Sequence, residues 1–294
     1  MLGDHALALI RDIFDRPDLF RGLPRIERRA VAWGADSKPA TLEHSAVVVS
    51  ENLLLNSLRP LEVLDDEAPQ ADADWTVFSS RPLPASVIEH RFGSRMAAAV
   101  PIELRAGSDS SACWIESLEN GWLFLIPNAP GSGWLLAVGA ALETLIGSSR
   151  VIAREISEFG PAADEFPAFP RIASPLIGPG WLACGTAAMA FDPICGDGTA
   201  HAIREAILAS AVIRALAKDA DADSLSAHYE ARLTAGFRRH LQLCREFYIS
   251  GATGPWWNAE LREIDRGIAW CDTKLQAHAS FRYQLRGFDL EPIR

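Results

Sequence analysis

The chain has 294 residues, enough to bury one large core or two close ones. Apolar residues make up 49% and charged residues 22%, a globular composition, and the net charge of −10 excludes the basic footprint that a nucleic-acid or anionic-membrane partner needs. Three Lys stand against twenty-five Arg, and Ala is abundant, a composition that points to a bacterial source. The five cysteines (Cys113, Cys184, Cys195, Cys244, Cys271) form no CxxC pair and no Cys/His cluster along the sequence, so a reduced cytoplasmic protein without a metal site is expected. No run approaches a membrane span and no signal peptide is visible.

Taken in order, Leu7, Ile10, Ile13 and Phe14 recur at helical spacing, which predicts an amphipathic helix within 5–20 that Pro17 helps to end. Arg25, Arg28 and Arg29 precede Trp33-Gly34 and read as a solvated basic strand, or as a contact for an anion. From His44 an extended run leads into a short helix ending near Leu61. Residues 62–74 are acidic and turn-rich, a surface loop, and 75–82 begin with a short strand. Between 86 and 146, five short runs rich in β-branched and aromatic residues predict a sheet. Pro101, Pro127 and Pro130 are expected at its edges or bulges, with Pro127 stopping the strand that begins at Trp122. Residues 141–147 read as a short helix.

The stretch from Gly178 to Lys218 organises the rest. A short strand, Gly180 to Cys184, leads through a turn to Asp192-Pro193 and Gly196-Asp197-Gly198, and an alanine-rich helix starts at about Thr199. Pro193 fixes its own φ and restricts Asp192, while Gly196 and Gly198 open backbone geometry closed to other residues. Free N–H groups at a helix start suit an anion or an electron-rich ring edge. The plain alternative is a strand-loop-helix unit of any α/β protein. Beyond it, 223–250 reads as a long helix capped by Asp223 or Ser224, with Leu225, Tyr229, Leu233, Phe237, Leu241 and Phe247 as its buried stripe. Gly251 to Pro255 breaks that helix, and Trp256-Trp257 dock onto an apolar surface. A further helix from Ala259 to Cys271 and a short polar end complete the chain.

Cys184-Gly185-Thr186-Ala187-Ala188, Asp192-Pro193, Gly196-Asp197-Gly198, Ala202 and Ala206 resemble the C-terminal FAD-binding segment of the flavin-dependent monooxygenases and halogenases of the p-hydroxybenzoate hydroxylase type. The resemblance implies an α/β (α+β) fold of the glutathione-reductase type. Its segments would be a partial FAD-binding domain over 1–82, an antiparallel β substrate domain over 83–170, an FAD-binding segment over 171–222 and a helical region over 223–294. It places FAD against Gly185, Thr186, Asp192, Pro193, Gly196, Asp197, Gly198 and Thr199, with His44, Asp192 and Pro193 at the reacting centre. Two departures imply weaker FAD binding. Thr186 stands where the family carries Asp, and the family's opening strand-GxGxxG-helix unit, which cradles the pyrophosphate, has no counterpart here. The chain therefore reads as one that starts inside the family's first domain, whether as a fragment, a late start or a natural remnant.

The implied activity is hydroxylation of an aromatic substrate with O₂ and reduced flavin, or halogenation when halide is present. Trp122 to Pro127 resembles the halogenase W-x-W-x-I-P motif with Phe124 for the second Trp, but the halogenase lysine that precedes the conserved Trp has no match, since Lys38 follows Trp33. Trp33-Gly34, Val49-Ser50-Glu51 and Trp256-Trp257 fit the hydroxylase-like branch better. That branch includes maturation flavoproteins that oxidise a Trp side chain of a partner protein, and Trp256-Trp257 is the surface expected to meet such a partner. The competing expectation is a non-catalytic relative that acts by partner binding.

Overall fold

The computed structural model describes residues 1–34, 38–58, 75–161, 165–196, 198–218, 220–277 and 282–293. Asp197, Leu61 and the acidic loop 62–74 lie outside the described residues. The chain divides into two compact units, one of residues 1–63, 94–168 and 246–262, the other of 64–93, 169–245 and 263–294.

In chain order, β1 (Leu2–Gly3) leads into α1 (Asp4–Ile13), followed by β2 (Arg25–Ala32), β3 (Ala40–Val47) and α2 (Glu51–Leu58). Short strands β4 (Thr76–Phe78) and β5 (Ile88–Arg91) precede four long ones: β6 (Met96–Leu104), β7 (Ala112–Leu118), β8 (Gly121–Ala129) and β9 (Ser132–Gly139). Helices α3 (Leu142–Ser148) and α4 (Ile152–Glu155) lead to β10 (Ile156–Phe159) and β11 (Phe166–Pro167). Then come β12 (Arg171–Ser174), β13 (Ile177–Gly178), β14 (Trp181–Ala183), α5 (Gly185–Ala188) and β15 (Met189–Ala190). A 3-10 turn at Pro193–Cys195 precedes α6 (Gly198–Leu216), α7 (Ala222–Gly251), α8 (Pro255–Ala277), β16 (Tyr283–Arg286) and β17 (Asp289–Pro292).

The first unit is built on one sheet, in the order β1-β3-β2-β7-β8-β9-β6-β10, with β11 also on β6. All its pairings are antiparallel except β2 with β7, which run parallel from Arg28 beside Ala112 to Ala32 beside Glu116. That pairing joins β2 to the four long strands of the same unit. On β8, Trp122, Leu123, Phe124 and Leu125 are all buried, so both faces of this strand are covered. Leu123, Leu125, Leu135, Leu145 and Ile152 form one core cluster, while Trp122 donates to Tyr248 Oη at 3.3 Å. Pro127 does not stop β8; the strand runs on to Ala129 through a register shift that absorbs the missing N–H.

The second unit holds a three-stranded sheet, β15-β12-β5, and another, β13-β14-β4, in which β14 lies parallel to β4. On α7, Leu225, Tyr229, Leu233, Phe237 and Leu241 are buried as the spacing predicts. Phe247, at the end of α7 that belongs to the first unit, is 40% exposed and not part of the buried stripe; its neighbour Tyr248 is the residue buried there. The helix also opens earlier than expected: Asp221, not Asp223 or Ser224, takes the cap position and accepts from the Asp223 N–H and the Ser224 hydroxyl. The polar end is a hairpin, β16 with β17, turned at Gly287 (φ +58).

Candidate functional site

The segment from Trp181 to Leu216 lies within the second unit. β14 is buried at Leu182 and Ala183, and the Tyr229 hydroxyl donates to the Ala183 carbonyl at 2.7 Å. Gly185 opens α5 at φ +57, a conformation that favours glycine, and its N–H donates to Glu205 Oε2 at 2.8 Å. Thr186 is exposed, and its hydroxyl donates to the Ser79 carbonyl at 3.1 Å. Glu205, on α6, is 7% exposed, and burial pushes its carboxyl up to about 8 although the Gly185 N–H pulls the other way. Burial, with Glu205 nearby, also raises Cys184 to about 11.

Asp192 is buried and structural in its contacts. Its carboxylate accepts the Ile194 N–H at 2.9 Å, capping the 3-10 turn that Pro193 begins, and its own N–H donates to His240 Nε2 at 2.8 Å. The turn closes on Gly196 in the left-handed region at φ +66. Gly198 and Thr199 then open α6 on its exposed side, and a Cβ added at Gly198 meets no atom within 4 Å. A nineteen-residue helix thus begins on exposed residues, and its first N–H groups have no partner within the helix. Gly185, Thr186, Asp192, Pro193, Gly196, Gly198 and Thr199 all belong to this one unit.

His44 is not among them. It sits on β3 of the first unit, 3.3 Å from an Arg29 guanidinium nitrogen, and burial and that arginine hold its pKa below the usual histidine range. The other basic residues of β2 are engaged within the same unit: Arg25 pairs with Asp4 at 2.7 Å and Arg28 with Asp109 at 2.5 Å. Trp257 does not offer a surface. It is fully buried, its indole N–H donates to the Leu118 carbonyl at 2.9 Å, and Trp33 meets it edge-on at 5.7 Å.

Two features escape the sequence reading. The first is a cavity of about 550 Å³ in the second unit, lined by Phe191, Glu205, His240 and the exposed arginines Arg204, Arg232 and Arg239. The arginines recur on two helices, α6 and α7, and no linear motif marks their convergence. The second is a Cys/His cluster. Cys195, His240 and Cys244 bring one ligand atom each within 4.8 Å of one another, which corrects the expectation of no such grouping. His240 and Cys244 are four apart on α7 and so share a face, the one signal that was present in the sequence. A hydrogen bond with Cys244 lowers Cys195 to about 6, against the upward push of burial.

No protein-family model matches the sequence, and no curated protein sequence matches it. Solved structures do match. The peptidyl tryptophan dihydroxylase QhpG, essential for tryptophylquinone cofactor biogenesis, aligns over 99% of this chain and 77% of its own at a TM-score of 0.68 and 17% identity. The myxobacterial chondrochloren halogenase CndH, a variant of the FAD-dependent halogenases, aligns over 92% and 78% at 0.66 and 17% identity. The flavin-dependent brominase Bmp2 aligns over 95% and 84% at 0.65 and 16% identity. None of the described helices is long and apolar enough to cross a membrane. The mixed α/β architecture is that of the flavin-dependent halogenases and hydroxylases.

Proposed function

We propose that this chain is a flavin-dependent oxidoreductase of the monooxygenase kind, with FAD seated at the loop from Asp192 to Gly198 and the start of α6. The observation that carries the reading is the unobstructed helix start at Gly198, set behind a left-handed Gly196. The local residues fit a flavin edge: Gly196 and Gly198 leave room for a ring system, and the N–H groups of the first helical turn favour negative charge there. The arginines of the nearby cavity would meet the anionic part of the cofactor. Bound flavin would supply activation of O₂. The protein's part is to orient the cofactor and to exclude water.

The preferred reaction is hydroxylation of an aromatic substrate, either a small molecule or a Trp side chain of a partner protein. What supports the second substrate is the alignment with QhpG across nearly all of this chain. Halogenation is the second reading, favoured by the alignments with CndH and Bmp2. A chain that binds a partner without catalysis is the third, motivated by Thr186.

The test is the visible spectrum of the purified chain after addition of FAD and desalting, on wild type and on Gly198→Val. Retained flavin in wild type and its loss in the variant support the site. A Cβ at this position meets no protein atom within 4 Å, and far-UV circular dichroism on the variant separates loss of ligand from loss of fold. A colourless wild-type protein, or equal retention by the variant, overturns the assignment.

A further inference from the structure

The Cys195, His240 and Cys244 side chains play no part in the flavin reading. Cys195 ends the 3-10 turn after Asp192-Pro193, and His240 and Cys244 stand one turn apart on α7. His240 is 2% exposed and Cys244 fully buried, while Cys195 is half-buried, so the group is reached from one side. None of the five cysteines is in a disulfide.

The sulfur separation excludes a formed disulfide and fits either a thiol hydrogen bond or a shared metal ion. A disulfide needs its sulfurs about 2.05 Å apart. A tetrahedral ion held by two thiolates at about 2.3 Å places them roughly 3.8 Å apart. Cys195 Sγ and Cys244 Sγ are 3.8 Å apart. The same tetrahedron sets sulfur and imidazole nitrogen roughly 3.6 Å apart. His240 Nε2 lies 3.2 Å from Cys244 Sγ. Two thiolates and an imidazole are a soft to borderline donor set, which selects zinc-class ions over calcium or magnesium.

We propose that Cys195, His240 and Cys244 form a zinc-class metal site, with water in the fourth position, that ties the Asp192–Gly196 turn to α7. The two thiols lose their protons to solvent as the sulfur–metal bonds form. His240 Nε2 exchanges the Asp192 N–H, which it accepts at 2.8 Å, for the metal, so uptake of the ion moves the turn at Asp192. The site does not rest on the flavin reading, but it shares the Asp192–Gly196 turn with it.

Cobalt(II) is the probe. The full chain is reduced with a phosphine, stripped with a chelator, desalted without oxygen and titrated with cobalt. The expected result is one ion per chain, a thiolate-to-cobalt band in the near ultraviolet and the intense visible bands of tetrahedral coordination, all removed by zinc. Cys195→Ser and Cys244→Ser each lose the tetrahedral spectrum, and Cys271→Ser, whose thiol lies outside the group, keeps it. Far-UV circular dichroism on each variant separates loss of the site from loss of the fold; Cys195, on a half-buried turn, is the variant least costly to folding. Absence of these bands in folded, reduced wild type overturns the proposal, as does their survival in Cys195→Ser. A purified chain lighter by two hydrogens that binds no cobalt after reduction also overturns it, and identifies a redox pair in its place.

Discussion

Glu260 and Arg95 face each other as an ion pair with side-chain exposures of only 2% and 0%. Glu260 also accepts the Ser94 N–H at 3.2 Å and the Ser94 hydroxyl at 3.0 Å, and Arg95 lies over the Tyr248 ring at 4.8 Å. The pair ties the strand entry at Ser94 to the start of α8. Removing one partner leaves a charge buried without its counterion. Glu260→Ala is expected to destabilise the fold by about 3–5 kcal/mol, read as a lower denaturant midpoint. A double replacement, Arg95→Met with Glu260→Leu, should recover much of that loss. A single-variant cost below about 1 kcal/mol would remove the pair from the list of determinants.

Glu116 plays a different role from the same degree of burial. Its carboxylate accepts the N–H groups of Arg150 at 2.7 Å and Ile152 at 3.0 Å, and the Ser149 hydroxyl at 2.6 Å. These are the orphan donors at the start of α4, closed by an anion from β7. Glu116→Ala is expected to cost about 2–4 kcal/mol, with Glu116→Gln intermediate because one oxygen remains to accept. Urea unfolding of the three proteins checks the order; equal midpoints for wild type and the alanine variant would refute it.

Glu205 gives the fold a pH dependence of defined sign. Its pKa rises from 4.5 to about 8 on folding. The folded state therefore holds a proton that the unfolded state has released, and stability falls as pH rises from 4.5 to about 8. His228, lowered from 6.5 to about 4 by burial and Arg232, works the other way, costing stability as pH falls below 6.5. Glu205 thus acts without that opposition only between pH 6.5 and about 8. Glu205→Gln should flatten the stability profile in that window and stabilise the alkaline end by a few kcal/mol at most, on the order of the shift itself. An unchanged slope in the variant would contradict the assignment.

Gly121 sits at φ +150 with its Cα hydrogen aimed at the neighbouring strand, and a Cβ built there falls 2.1 Å from the Val138 carbonyl oxygen. No side chain can yield, because the obstacle is backbone. Gly121→Ala should force β8 from β9 at their first pair and cost more than about 2 kcal/mol. Gly147→Ala, with no atom within 4 Å, is the matched control and should be nearly neutral. Thermal unfolding of the two proteins distinguishes them.

The local features were legible because short-range chemistry decides them. The β-branched and aromatic runs of β6 to β9, the stripe from Leu225 to Leu241 on α7, the Pro193 turn and the helix after Gly198 all follow from neighbours within a few positions. What escaped depends on distant partners. Nothing near Arg28 announces that its strand will lie parallel to one that begins at Ala112. Cys195 is uninformative until α7 brings His240 and Cys244 to it. Trp257 looked like a docking surface because its burial is completed by Trp33 and Leu118, far away in sequence. The hairpin around Gly287 was missed for want of apolar alternation, although its glycine turn was in view.

The parallel alignment of β2 with β7 has a price in time. On the ribosome, Arg28 emerges roughly eighty residues before Ala112, a wait of several seconds at roughly 5–20 residues per second. Throughout it the β2–β3 hairpin offers a bare edge of amides and carbonyls to any passing strand. Arg25, Arg28 and Arg29 lie on that edge. A charged edge of this kind is one that a second strand pairs with less readily than an apolar one.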